Sequence, residues 1–368
     1  MLFLGWLDNA RSPFFPDIIH SMQLNPIQGS LFFAITSLIS FSMGFFNDRL
    51  LKHVSSLQLL QAASALLGLG FFLMAWSPNF ILLLLSAAVY GLGYGSLNFS
   101  QNVIIQEWAP SAYKRRIFVG LHSMYGIAAL LAPISASAFY TIGWPWRKAF
   151  LMLSVLPVAL AFISRRAFAH PPKSQGIAQE VHVSAGDLSR SALWIVALSV
   201  AFYMFGEIGV STRIVLLLRT EYAQSPETAN TYLAIFFGLL LLGRLTFALL
   251  DFKHLSNRKV LITSASLSAA VLSVSLALHR PFWIPISGLT MAPFYPVGMN
   301  YLAETFGTRH AARSLSFGIA LCSLATVVLQ LSLGVLTESF GLESAMWIAP
   351  AGLLCCVAFL WRPVKFNG

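Results

Sequence analysis

Charge is scarce in this chain. Asp, Glu, Lys and Arg make up 10% of its 368 residues and hydrophobic residues 57%. A water-soluble globule of that size could not carry this balance without exposing large apolar patches. Cysteine is also scarce. Cys322, Cys355 and Cys356 all lie within apolar runs, so there is no disulfide framework and no metal-ligand spacing, and the three read as small buried apolar residues. No H-E-x-x-H, G-x-S-x-G or G-x-G-D arrangement occurs, and no G-x-x-x-x-G-K-[S/T] loop. Neither an intramembrane enzyme nor an ATP-driven pump is expected. The net charge of +10 comes from short basic clusters at the ends of apolar runs. With no continuous basic stripe, no nucleic-acid partner is expected. A cleaved signal peptide is not expected either, because the first run has no basic leader and carries Asp8 and Arg11 within it.

What fills the chain instead is a series of twelve stretches of about 20 mostly apolar residues, each long enough as a helix to cross a hydrocarbon layer of about 30 Å. They run over residues 1–19, 28–46, 57–76, 80–106, 116–140 and 146–163, then 191–218, 229–250, 260–278, 282–302, 311–336 and 344–361. Lipid offers no partner for backbone N–H and C=O groups, and the stretches lack the alternation of barrel strands, so they are predicted as helices. The fold class expected is an all-α membrane protein with twelve transmembrane helices in two pseudo-symmetric six-helix bundles. Residues 1–163 form the first bundle, 164–190 a cytoplasmic linker and 191–368 the second.

Orientation follows from the Lys and Arg bias of the loops. With both termini cytoplasmic, sixteen basic residues fall on the inner side. Only Arg147, Lys148, Arg219 and Arg280 fall on the outer side, and Arg11, Arg213 and Arg244 lie inside spans. A multi-pass protein of the inner or plasma membrane is expected. The first span begins at Met1 with no tail before it, which leaves open a start farther upstream.

The halves repeat. Asp8 precedes Gly44 by 36 positions and Glu207 precedes Gly243 by the same 36, matching the acidic residue of span 1 to that of span 7. Between spans 2 and 3 the sequence Gly44-Phe45-Phe46-Asn47-Asp48-Arg49-Leu50-Leu51-Lys52-His53 resembles the G-x-x-x-D-R-x-x-R/K loop of the major facilitator superfamily. Gly243-Arg244-Leu245 at the end of span 8 looks like its partial copy. Gly126 and Pro133 in span 5 are similar to the family's glycine and proline pattern there. Gly206-Glu207, Ser211 and Phe236-Phe237-Gly238 look like the fucose and glucose proton-symporter branch. Asp8 matches the acidic residue that this branch has in helix 1, whereas mid-span 4 offers Asn98, Gln101 and Asn102, with Glu107 only at its cytoplasmic end.

The resemblance implies secondary active transport by alternating access of two halves around a midplane site. Gly44, Asp48, Arg49, Lys52 and Arg244 would then form a cytoplasmic gate, although positive-inside anchoring explains Lys52 equally well. The remaining candidates come from the cost of polar groups in lipid, roughly 3 kcal/mol or more for a charge at mid-bilayer. Asp8 and Arg11, spaced i, i+3, share a helical face. They are either a proton-coupling pair or a permanent lock of span 1 into the bundle. Pro13 and Pro16 are predicted to break or kink that span beside them. Asp17 is expected near the outer surface, solvated. Glu207 is the second coupling candidate, or a carboxylate tied to neighbouring helices. Arg213 is expected to snorkel outward as an anchor.

Asn98, Gln101 and Asn102, with Tyr94 one turn earlier, are candidate substrate contacts or interhelical glue. Asn9, Tyr203 and Tyr295 join them as candidate substrate contacts. Phe294 reads as ring packing, His122 as a surface or packing residue, and Gly91 and Gly95 as close-packing positions. A small polar solute moved by proton symport is the preferred reading, with proton-antiport efflux as its alternative. The expected partners are the solute, protons and the lipid bilayer, for a chain acting as a monomer with no cofactor.

Overall fold

The structure, a computed structural model, describes residues 1–110, 113–167, 190–249, 255–305 and 307–362. It divides into two compact units, Met1–Val181 and His182–Gly368. Most of the expected linker, residues 168–189, lies outside the described residues.

The first unit holds α1 (Leu2–Met22), α2 (Pro26–Leu50), α3 (Ser56–Trp76), α4 (Phe80–Trp108), α5 (Lys114–Thr141) and α6 (Trp146–Ala167). Local signals fix the ends of these helices. α1 stops where Gln23 turns left-handed at φ 51°. α2 and α3 each start with a capping box, Asn25 with Gln28 and Ser55 with Gln58, which satisfies two orphan backbone donors reciprocally. Asn79 caps α4 by accepting from Leu82 N–H. Within the unit α3 packs on α4 and α6, α2 on α4, and α1 on α5. Gly91 and Gly95 bring α4 against α2: a Cβ at either would lie 2.8 Å from a carbonyl of that helix, of Thr36 or Ser40. An aromatic chain ties the unit together, from Phe14 to Phe150 to Phe71 to Tyr90.

The second unit holds α7 (Arg190–Thr220), α8 (Pro226–Leu249), α9 (Asn257–Ala277), α10 (Ile286–Met291), α11 (Phe294–Thr305), α12 (Gly307–Phe340), α13 (Leu342–Ala345) and α14 (Ile348–Trp361). Its internal partners repeat those of the first: α7 packs on α12 as α1 does on α5, α9 on α14 as α3 on α6, and α8 on α10 as α2 on α4.

Three expectations change. α1 runs unbroken through Pro13 and Pro16, although each proline withholds the N–H that would reach the carbonyl four residues earlier. The tenth span is not one helix. It divides into a 3-10 turn at Pro281–Trp283, then α10, then α11, with Pro281, Pro285, Pro293 and Pro296 interrupting the donor ladder. The Gly44 motif is largely helical rather than a loop, because α2 continues to Leu50, and α8 likewise passes Arg244 to reach Leu249. Among the described residues ten helices are long and apolar enough to cross a membrane. The two expected spans outside that set are α1, with Asp8, Arg11 and Asp17, and the interrupted tenth.

Candidate functional site

Each unit gathers a carboxylate, a guanidinium and tyrosines on its first helix and the helices packed around it.

In the first unit Asp8 and Arg11 meet side by side on α1, the Arg11 Nη2 donating to Asp8 Oδ1. From α5, the Tyr125 hydroxyl donates to Asp8 Oδ2 at 2.6 Å, and Tyr94 of α4 makes polar contact with both Asp8 and Tyr125. Gly5, one turn before Asp8, makes room for this: a Cβ there would stand 2.9 Å from the Tyr125 ring and 3.1 Å from Ala128. Arg11 is 5% exposed and held on every side. Its Nη1 donates to Thr36 Oγ1 at 3.1 Å and its Nε to the Asp8 carbonyl at 3.3 Å. Its charged carbon lies 4.7, 5.3 and 6.0 Å from the ring centres of Tyr90, Phe33 and Phe32. Ring faces attract a desolvated cation by about 2 kcal/mol or more, so packing as well as Asp8 holds this guanidinium.

In the second unit the pair is assembled across helices. Arg244 Nη2, on α8, lies 3.2 Å from both carboxylate oxygens of Glu207 on α7. The Tyr203 hydroxyl donates to Glu207 Oε2 at 2.6 Å, with the Met291 carbonyl as a second acceptor at 3.1 Å. Tyr203 is fixed by stacking on Phe294, 4.2 Å between ring centres and 7° from parallel. Tyr295 of α11 and Cys322 of α12 lie within electrostatic reach of Glu207. Arg244 is the looser cation, its side chain 28% exposed against 6% for Arg11. Among the described residues its Nε has no acceptor, and leaving such a donor unmet costs about 1–3 kcal/mol. An orphan of that kind calls for an explanation.

The other candidates are distributed more widely. Asn9 turns its amide back to the Gly5 carbonyl at 2.8 Å, and Asn102 does the same to Asn98. Gln101 leaves the stripe of Tyr94, Asn98 and Asn102. It lines a cavity of about 240 Å³ with Leu57, Leu60, Leu97 and Pro157, and its Oε1 accepts from the Met1 amino group at 2.5 Å. Gly44, Asp48, Arg49 and Lys52 are exposed at the end of α2 and just beyond it. Asn47, between them, is buried and donates to the Gly95 carbonyl. Arg244 meets Glu207, a pairing the sequence did not show. Arg213 is not a snorkelling anchor: it is 2% exposed and donates to Gln330 Oε1 at 2.8 Å. Asp17 is not left to solvent, since Tyr140 donates to it. The side chain of His122 lies outside the described residues.

Tyr90, Tyr125 and Thr36 were not anticipated. The four-residue spacing of Tyr90, Tyr94, Asn98 and Asn102 along one stripe of α4 is a signal that would have found the first. Nothing local marks the other two.

Comparison with known proteins places this geometry in a family. The cis,cis-muconate transport protein of Acinetobacter baylyi is 21% identical over 289 residues, 72% of this chain and 68% of that one. Efflux pump bfoC of Aspergillus brasiliensis is 30% identical over 178 residues, 47% of this chain but only 29% of its own length. Among solved structures, a D-xylose-proton symporter aligns with a TM-score of 0.80 over 99% of this chain and 95% of its own at 15% identity. A bacterial homolog of the human lysosomal transporter Spinster aligns at 0.77, over 98% and 94%, also at 15%. These structural likenesses speak for the fold alone. The sequence profile of the Major Facilitator Superfamily matches residues 1–276 and 196–367, and on that match, which covers both units, the chain belongs to the Major Facilitator Superfamily of membrane transporters.

Proposed function

We propose that the protein is a secondary active transporter that moves a small polar solute by alternating access, coupled to protons as a symporter. Its termini lie in the cytoplasm. The observation that carries the reading is the carboxylate, guanidinium and tyrosine set that recurs in each unit, on the first helix and its neighbours. Buried ionisable groups are expensive in a lipid-facing protein, and they persist where they move protons or bind substrate. Asp8 and Glu207 are the proton acceptors in this reading, each facing a tyrosine hydroxyl at 2.6 Å. Tyr94, Asn98, Tyr203 and Tyr295 are the solute-facing polar residues. Asp48, Arg49 and Lys52, exposed at the end of α2, serve the gate. A relative named for muconate supports a solute that is small and polar.

Efflux by proton antiport is the competing reading, favoured by Pro133 inside α5 and by the partial likeness to an efflux pump. Uptake into proteoliposomes under opposite pH gradients separates the two. A symporter accumulates solute when the outside is acid, and an antiporter when the inside is acid. Asp8→Asn is expected to abolish proton-driven accumulation while leaving solute exchange partly intact. Full accumulation by that variant would remove Asp8 from the mechanism.

A further inference from the structure

The two guanidinium groups differ in what their donors are doing, and the difference identifies a receptor. A carboxylate ligand grips arginine side-on, through the edge formed by Nε–H and Nη2–H. On Arg11 both nitrogens of this edge are engaged within α1, to the Asp8 carbonyl and the Asp8 carboxylate, while Nη1 holds Thr36. On Arg244 the same edge is half used: Nη2 alone faces both oxygens of Glu207, and among the described residues Nε faces no acceptor. Among the described residues no aromatic ring lies over Arg244.

We propose that the Nε and Nη2 edge of Arg244 is the binding site for the carboxylate group of an organic-acid substrate, which takes the place of Glu207 when Glu207 accepts a proton. The proposal rests on the proton-symport reading and names its substrate class. Its chemistry balances. With Glu207 ionised, the pair carries no net charge. A proton from solvent adds to a Glu207 oxygen, and the substrate carboxylate then neutralises Arg244, so the loaded site again carries no net charge. The empty site and the loaded site are therefore both neutral, which is the condition for moving either of them cheaply through a low-dielectric interior, while the protonated site without substrate holds a bare cation and is held back. The hydrogen bonds balance too. The Tyr203 hydroxyl, now donating to Glu207 Oε2, turns to the Met291 carbonyl at 3.1 Å, and its oxygen accepts from the protonated Glu207. Because the Arg244 Nε atom is itself shielded, an anion engages this edge by replacing Glu207 and not by adding beside it.

Among the described residues, the titratable or charged groups facing Glu207 are Arg244 from α8, Tyr295 from α11, Cys322 from α12 and Tyr203 on its own helix. Of these, Arg244 alone is an anion receptor.

The test is thermal stabilisation of the purified full-length protein in detergent by benzoate, succinate and cis,cis-muconate, each against a neutral counterpart (benzamide, succinamide, D-xylose). At least one carboxylate is expected to stabilise the wild type saturably, more strongly at pH 5.5 than at pH 7.5, with its neutral counterpart inert. Glu207→Gln, which mimics the protonated side chain, is expected to tighten that binding about 10-fold at pH 7.5 and to flatten its pH dependence. Arg244→Lys should weaken it about 10-fold and Arg244→Gln should abolish it. Should the Arg244 variants fail to fold, Glu207→Gln decides alone. Absence of carboxylate binding, equal binding of a neutral counterpart, or indifference to Glu207→Gln would overturn the proposal. Gradient-driven uptake separates this outcome from the reading beneath it. Acid-driven accumulation of D-xylose with no response to carboxylates sinks the substrate assignment and keeps proton symport. Arg244-dependent carboxylate binding without gradient-driven uptake of that carboxylate does the reverse.

Discussion

The acid-base pair of α1 and that of α7 occupy corresponding helices, yet one is local and sealed while the other is long-range and open. Asp8 and Arg11 are three residues apart, and three aromatic rings and Thr36 enclose the guanidinium. Glu207 and Arg244 are 37 residues apart on separate helices, with the guanidinium partly exposed and one donor unmet. Duplicated architecture therefore preserves the placement of a carboxylate without preserving the task of its counter-charge. In the first unit the arginine is held by packing as well as by its acid, and in the second chiefly by its acid among the contacts described.

The largest effect that would break this contrast is on stability. Each change leaves a carboxylate of similar exposure, but Arg11→Met also strips a buried guanidinium from Thr36 and three rings and is expected to cost about 3 kcal/mol or more, whereas Arg244→Met removes a partly exposed one and is expected to cost about 1 kcal/mol. Equal losses in thermal unfolding of the detergent-solubilised variants would mean that both pairs are structural. A smaller effect is expected from Gly5→Ala. The added methyl collides with the Tyr125 ring and Ala128, so overpacking of about 1 kcal/mol should accompany slower proton-driven uptake as Tyr125 is pushed from Asp8. Unchanged uptake would show that Tyr125 does not need to touch Asp8. The smallest concerns Tyr90, whose buried hydroxyl has no partner among the described residues while its ring faces Arg11. Tyr90→Phe keeps the ring and removes an unsatisfied oxygen, so stability should hold or rise, by about 1 kcal/mol at most. A clear fall in the unfolding temperature would show that the hydroxyl has a partner of its own.

The parts of the molecule that were legible in the sequence are those written in local pattern. Apolar runs gave the helices, and the glycines of α4 gave its close approach to α2. The i, i+3 spacing gave the contact between Asp8 and Arg11. What escaped depends on contacts between distant segments. Arg244 was grouped with the exposed charges of the α2 motif because Gly243-Arg244-Leu245 looks like a copy of it, but the neighbours of a residue on α8 are decided by packing against α7 and α10. Arg213 was read as an anchor because arginines near helix ends often reach for water. Its fate was decided by Gln330, 117 residues away. The broken tenth span is an intermediate case: its four prolines are plain in the sequence, but whether a proline bends a helix or ends it depends on what else can satisfy the freed groups. α1 tolerates two prolines without a break, and the tenth span does not.

That break has a consequence for Tyr203. Met291 is the last residue of α10, so its carbonyl is one of the terminal acceptors that a continuing helix would have claimed, and it stands 3.1 Å from the Tyr203 hydroxyl as a second acceptor beside Glu207 Oε2 at 2.6 Å. Turning about its single C–O bond exchanges one acceptor for the other while the ring stays stacked on Phe294. An unbroken tenth span would spend that carbonyl within its own ladder and leave the phenol with Glu207 alone.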